Sequence, residues 1–99
     1  MIIRIVKMQF RDEEVDAFRQ LFEERRALIR HFEGCTHLEL WQDQNQSSIF
    51  FTYSWWDTQE HLERYRQSRF FDETWSLTKQ KFAAKPEAWT VCPVVAVTG

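Results

Sequence analysis

Residues 49–56, with the sequence Ile-Phe-Phe-Thr-Tyr-Ser-Trp-Trp, limit the possible folds of this chain more than any other segment. The segment has the composition of a β-strand, in which side chains alternate between two faces. Both faces are then apolar or aromatic: one carries Ile49, Phe51, Tyr53 and Trp55, and the other Phe50, Thr52, Ser54 and Trp56. Such a strand belongs in a sheet that is covered on both sides. Helices can cover one side, and we expect a second copy of the chain to cover the other.

The size and composition of the chain predict one globular domain spanning residues 1–99. Hydrophobic residues make up 43% of the chain and aromatic residues 16%, which is enough for a core and for an interface or ligand cavity. The formal net charge of −2 shows no basic excess, so we expect no nucleic-acid binding. No run of about 18 apolar residues occurs, and the first residues lack the pattern of a signal peptide. We therefore expect a cytoplasmic protein without a membrane-spanning segment.

Hydrophobic periodicity predicts four strands and two helical regions. The strands are expected at residues 1–10, 35–42, 48–56 and 88–97. Pro93 interrupts the last one, which predicts an edge position or a chain that leaves the sheet there. Asp12 is the expected N-cap of the first helix, and Gly34 the left-handed residue that follows it. Asp57 is the expected N-cap of the second, with Glu60 completing a capping box, and this helix should pause near residues 68–69.

The order of these elements is strand, helix, strand, strand, helix, strand, which is the ferredoxin-like plan of an α+β domain. Right-handed crossovers place both helices on one face of a four-stranded antiparallel sheet. The other face would be bare in a single chain, which again predicts a homodimer. We also expect the apolar tail at residues 94–97 to pack against the partner subunit.

Polar residues that could carry chemistry are few. Cys35 and Cys92 have no CxxC or zinc-ligand spacing and are expected to be free thiols, and no metal site is predicted. His37 and Glu39 share one strand face and could be a surface or interface pair, a base with its orienting carboxylate in a pocket, or two metal ligands. No third ligand is visible in the sequence.

Aromatic residues on the third strand and the second helical region are the candidates for a ligand pocket. Tyr53, Trp56, Tyr65 and Trp75 could line one cavity if this helix packs over the strand, and such walls suit a flat polycyclic or quinol-like ligand. The alternative is that these rings are core or interface packing. Arg69 could hold an anion at the pocket mouth or lie on the surface. The full candidate set is His37, Tyr53, Trp56, Tyr65, Arg69, Phe71 and Trp75.

Over roughly residues 2–94 the chain resembles the antibiotic-biosynthesis-monooxygenase group of dimeric α/β barrels. The resemblance rests on element order, length and one pattern: Tyr53-Ser54-Trp55-Trp56-Asp57, then Tyr65, then Ser68-Arg69-Phe70-Phe71. The residues that stand where this group has its typical ones are Tyr53, Trp56, Asp57, Ser68 and Phe71. The resemblance implies a homodimer and oxygenation of an electron-rich phenol without metal or flavin.

The chain departs from the group at three positions of the same pattern. Ser54 stands in place of an acid, and Tyr65 and Phe70 stand in place of two histidines. Haem-degrading relatives have a haem-ligating histidine where this chain has Trp75, and an indole offers iron no comparable lone pair, so we do not expect haem as a partner. Two alternatives to an enzyme stay open: a small-molecule-binding dimer that has lost the chemistry, and a structural dimer whose core leaves no cavity.

Overall fold

A computed structural model describes all residues from 1 to 99. The predicted order of strands and helices is confirmed, and the second helical region is divided in two at Ser68. The elements are β1 (Ile2–Gln9), α1 (Val15–Arg30), β2 (Cys35–Gln42), β3 (Ile49–Trp56), α2 (Gln59–Arg66), α3 (Arg69–Lys79) and β4 (Glu87–Val91).

The four strands form one antiparallel sheet in the order β2-β3-β1-β4. This order and the helix-covered face confirm the predicted ferredoxin-like α+β fold. The register places Arg4 opposite Ser54 on one side and opposite Thr90 on the other. A register shift between Cys35 and His37 turns Cys35 toward the helices and leaves His37 on the opposite face of the sheet.

The three helices all pack against one face of the sheet, which holds the core. One buried cluster joins β1 and β3 to α1, and it consists of Met8, Phe10, Phe18 and Phe50. A second cluster joins the start of β2 and the end of β3 to α2, and it consists of Cys35, Trp56 and Leu62. The space between the two clusters is where a cavity can form.

The predicted N-caps of both helical regions are wrong by one or two residues. Asp12 lies inside a short 3-10 turn, and Glu14 precedes α1 without a side-chain capping bond. Thr58, not Asp57, is the N-cap of α2, because its extended backbone lets its hydroxyl oxygen accept the His61 N–H at 3.2 Å.

The last strand is shorter than predicted. It ends at Val91, two residues before Pro93, which cannot donate a ladder hydrogen bond, and no strand resumes beyond the predicted interruption. The strand lies at the edge of the sheet, one of the two outcomes that the proline predicted. The tail beyond it is exposed, with Val94 at 93% and Val97 at 89% of full exposure. Its packing against a partner subunit stays a prediction.

Gly34 follows α1 with φ +89°, which confirms the predicted left-handed position. A Cβ at this residue would lie only 2.3 Å from Cγ of His61. We expect Gly34→Ala to lower the free energy of unfolding by at least about 2 kcal/mol, through backbone strain and this clash. Thermal unfolding followed by circular dichroism measures the change. The matched control is Gly99→Ala, because Gly99 also has a positive φ but has open space around its Cβ position. If Gly34→Ala and Gly99→Ala were equally stable, the predicted clash with His61 would be wrong.

The face of the sheet that the helices leave uncovered is largely aromatic. Trp41 stacks on Tyr53 with ring centroids 4.5 Å apart, and His37 lies 4.5 Å from Trp55. Trp41 and Trp89 keep 39% and 45% of their surface exposed. We call this surface the open sheet face; its further members are Ile3, Ile5, Phe51 and Val91.

Candidate ligand cavity

A cavity of about 300 Å³ lies between the sheet and the helices. Its volume is at the lower end of the range of small-molecule sites, roughly 300–1,000 Å³. The sheet provides its floor through β1 and β3, and α1, α2 and α3 provide the walls and roof. Thirteen of its 22 lining residues are hydrophobic, so the cavity favours an apolar ligand with few polar groups.

Four aromatic side chains form a continuous wall of this cavity. Trp56 stacks on Tyr65 at 4.9 Å between ring centroids, Tyr65 meets the edge of Phe71 at 5.1 Å, and Phe71 lies 5.9 Å from Trp75 and nearly parallel to it. The break between α2 and α3 positions the middle of this wall. Ser68 caps α3 by accepting the Phe71 N–H at 3.1 Å, and it donates its hydroxyl to the Tyr65 carbonyl at 2.6 Å.

The structure brings together some of the residues selected from the sequence and separates others. Trp56, Tyr65, Phe71 and Trp75 line the cavity. Tyr53 and His37 lie on the open sheet face, with their rings 6.0 Å apart, because residues 53 and 56 of one strand point to opposite faces. Arg69 is exposed at the first residue of α3 and does not line the cavity.

His37, Glu39 and Trp41 form a hydrogen-bonded group on the open sheet face. The Glu39 carboxylate contacts the His37 imidazole and accepts the Trp41 indole N–H at 2.9 Å. These hydrogen bonds, the one from Trp41 first, lower the pKa of Glu39. The group lies on the far side of the sheet from the cavity. No cluster of three or more His, Cys, Asp or Glu side chains has the spacing to hold a metal ion.

Tyr65 carries the one phenol of the aromatic wall. Burial, reinforced by the nearby Cys35, raises the pKa of Tyr65 well above that of a free phenol. Its hydroxyl takes part in none of the side-chain hydrogen bonds of the chain. At neutral pH the Tyr65 phenol is therefore uncharged. Its hydroxyl can donate a hydrogen bond to a ligand oxygen, and it cannot serve as a base.

The floor of the cavity carries a charged residue that sequence analysis missed. Arg4 lies on the helix-facing side of β1 between Ile2 and Val6, and its Nη1 donates to Thr90 Oγ1 at 2.8 Å. No carboxylate forms a salt bridge with it. The available signal was an arginine inside a mainly apolar strand. Because both faces of β1 are mainly apolar, the sequence did not show whether Arg4 lies on the helix-covered face of the sheet or on the opposite one.

Most of the other polar groups of the cavity are already engaged within the chain. Arg25 donates to Thr74 Oγ1 at 3.1 Å and ties α1 to α3. Ser54 Oγ accepts the Trp56 indole N–H at 3.0 Å. Glu87 is the only lining residue with a carboxylate, and it forms a salt bridge with Lys7 at 3.7 Å. Histidine and aspartate are absent from the lining, so the cavity offers a ligand cationic and neutral groups.

The family model for antibiotic biosynthesis monooxygenases matches residues 1–75 of the chain, which include the aromatic wall and Arg4. This chain belongs to the antibiotic biosynthesis monooxygenase family. The match covers three of the four strands and all of α1 and α2. A search of curated proteins finds no match.

Solved structures share the fold of this family member over nearly the whole chain. An antibiotic biosynthesis monooxygenase superposes with a TM-score of 0.89 at 18% identity, covering 96% of this chain and 100% of its own. A conserved protein from Methanosarcina mazei Go1 has a TM-score of 0.84 at 23% identity, covering 91% and 90%. Rv0793 from Mycobacterium tuberculosis has a TM-score of 0.87 at 13% identity, covering 98% of each chain. Identities this low establish the shared fold alone.

None of the three helices combines the length and the apolar content needed to cross a bilayer.

Proposed function

We propose that this member of the family is a monooxygenase that oxidises a small aromatic, phenol- or quinol-type compound in the cavity between sheet and helices, without metal or flavin. The observation that supports this most is the aromatic wall of Trp56, Tyr65, Phe71 and Trp75 around an open volume of about 300 Å³. A purely structural dimer would fill this space with side chains, since protein cores are close-packed.

The proposed reaction draws its electrons from the substrate. A phenol gives up four electrons and O₂ accepts them; one oxygen atom becomes a new ring carbonyl and the other leaves as water, with the ring hydrogen and the phenol proton. Phenol plus O₂ thus gives quinone plus water, with no other reductant. The ionised phenol is the form that donates electrons readily, so the protein must bind it in a water-poor site and supply hydrogen bonds.

The aromatic wall and Tyr65 are suited to these tasks. Stacking between the rings orients a flat substrate, and the neutral Tyr65 hydroxyl can donate to a substrate oxygen. The lining contains no free carboxylate or imidazole to remove the phenol proton. We infer that the substrate ionises in solution or on entry, and that the protein selects the ionised form.

The test is oxygen consumption with a panel of quinols and phenols, using chelator-treated, flavin-free protein. We expect uptake above the buffer rate, and at least a roughly ten-fold loss of kcat/KM in Tyr65→Phe, which removes a donor to the developing charge. Tyr53→Phe is the matched control, because it removes the same hydroxyl on the opposite face of the sheet. Equal loss in both variants would contradict the placement of the site.

The pH dependence of the same reaction tests where the proton goes. Because the ionised substrate reacts and no lining group acts as base, kcat/KM should rise with pH through the pKa of the substrate. Two phenols of different pKa should then show midpoints that differ by the same amount. One midpoint common to both substrates would instead point to a protein base and contradict this account.

A binding module that has lost the chemistry is the second candidate. It is favoured by Ser54, Tyr65 and Phe70, which replace an acid and two histidines of the family pattern. Absence of oxygen uptake together with saturable quenching of tryptophan fluorescence by the same compounds would support this alternative.

We propose that the functional unit is a homodimer joined through the open sheet face, as the resemblance to the dimeric α/β barrels implies. Large apolar side chains there remain exposed, including Trp89 at 45% and Val91 at 41%. The indole N–H of Trp55 is buried without a partner, and a second subunit could supply an acceptor.

The cytoplasm is the proposed location, since Cys35 and Cys92 are free thiols.

A further inference from the structure

Arg4 is the one cavity arginine whose charge has no partner of opposite sign and no aromatic ring. Arg66 pairs with Glu63 at 3.3 Å, and the Arg25 guanidinium lies 5.6 Å from the centroid of the Phe70 ring. Arg4 makes a single side-chain hydrogen bond, to a neutral hydroxyl of Thr90. A half-buried guanidinium has five N–H donors, so most of its donors remain open to a ligand.

The sheet register explains why Arg4 is unpaired. Its neighbour across the β1–β3 pair is Ser54, the position where the family pattern has an acid. A carboxylate there would lie directly across from the arginine on the same face of the sheet, within pairing distance. The serine hydroxyl instead accepts the Trp56 indole, so this side of Arg4 faces no anion.

The surroundings of Arg4 favour a negative ligand. Burial, and next the positive charge of Arg66, lower the pKa of the Arg4 guanidinium, while Glu63 acts in the opposite direction. A bound anion would relieve the repulsion between the two arginines. The lining has three arginines and one carboxylate that is already paired, although the whole chain has a net charge of −2.

The same floor lies next to the aromatic wall. Trp56 is two residues along β3 from Ser54 on the same face, which makes it the diagonal neighbour of Arg4. Its ring stacks on Tyr65, whose hydroxyl is uncharged and unbonded within the chain. The Arg4 guanidinium and a flat apolar surface are thus neighbours. An aromatic ring that bears an anionic oxygen can contact both at once.

We propose that Arg4, unpaired because Ser54 faces it, is the anion-binding residue of this cavity, and that the ligand is a planar aromatic anion. Its carboxylate or ionised phenol oxygen binds Arg4 near Arg66, and its ring packs against Tyr65 and the neighbouring rings of the aromatic wall. The inference rests on the cavity being the substrate site of the proposed function, and it narrows the substrate class to aromatic acids and readily ionised phenols.

Calorimetric binding without oxygen tests this inference, with naphthoate as the anionic probe and naphthamide as its neutral counterpart. We expect naphthoate to bind roughly ten-fold or more tighter than naphthamide, as a charge-assisted hydrogen bond predicts. Arg4→Gln should remove this preference, and Arg4→Lys should retain part of it. Ser54→Asp should weaken naphthoate alone, because the new carboxylate occupies Arg4.

Arg64→Gln is the matched control, since Arg64 is an exposed arginine of α2 outside the cavity. It should keep the native preference. Equal affinity for both probes in the native protein, a preserved preference in Arg4→Gln, or no naphthoate binding at all would each overturn the inference.

The outcomes separate this inference from the proposed reaction. If the protein prefers naphthoate but consumes no oxygen with any phenol, the anion site at Arg4 is supported and the proposed monooxygenase activity is contradicted. If oxygen consumption is unchanged in Arg4→Gln, the proposed monooxygenase activity is supported and the role of Arg4 in binding the substrate is contradicted.

Discussion

Replacing Phe10 by alanine is expected to lower the free energy of unfolding by about 3–5 kcal/mol. Phe10 is 1% exposed, and its ring contacts Phe18 at 4.0 Å between centroids, Phe82 at 5.4 Å and Phe50 at 5.9 Å. It therefore joins β1, α1, β3 and the segment after α3. Removing the ring leaves a cavity. These elements can fill it only in part, because backbone hydrogen bonds also hold them in place.

Urea unfolding measures this loss, with Leu28→Ala as the control. Leu28 lies on α1 but is 61% exposed, so its truncation should change the stability by no more than about 0.5 kcal/mol. If Phe10→Ala and Leu28→Ala unfold at the same urea concentration, the assignment of Phe10 to the centre of the core is wrong.

Replacing Ile5 by lysine is expected to convert the proposed dimer into monomers. Ile5 lies on the open sheet face between Tyr53 and Trp89, on one of the two inner strands of the sheet. Twofold symmetry would bury two new ammonium groups without partners, and each costs several kcal/mol. We expect the dimer dissociation constant to rise by roughly a thousand-fold or more.

Sedimentation equilibrium at micromolar concentration measures this change. The native chain should sediment with the mass of two subunits and Ile5→Lys with the mass of one. Leu28→Lys adds the same charge on the outer side of α1 and should leave the dimer intact. A native protein that sediments as one subunit would remove the dimer from this account.

The order of elements was predictable because hydrophobic periodicity and Gly34 are strong local signals. The helix starts were not, because Asp57 and Thr58 are both good N-cap residues and only the backbone distinguishes them. Pro93 indicated the interruption of β4, but the strand expected beyond it does not form, because Val94 and its neighbours have strand-like composition but no strand to pair with.

The aromatic wall could be predicted in part from helical spacing. Phe71 and Trp75 are four residues apart and share one side of α3. Tyr65 lies six residues before Phe71, on a different side of an unbroken helix, so it is the break at Ser68 that brings their rings together. Tyr53 could not be assigned, since the sequence did not show which face of β3 the helices cover. Arg4 was missed for the same reason, because its side depends on the sheet register and no local pattern carries that information.

The central claim, that this cavity adds one oxygen atom from O₂ to an aromatic anion, is tested most directly with isotopically labelled dioxygen. The product of a phenol that the protein consumes would be analysed by mass spectrometry. We expect one labelled oxygen atom in each product molecule, with Tyr65→Phe lowering the yield and Tyr53→Phe leaving it unchanged. A product whose new oxygen comes from water, or no product from any phenol that binds, would contradict it.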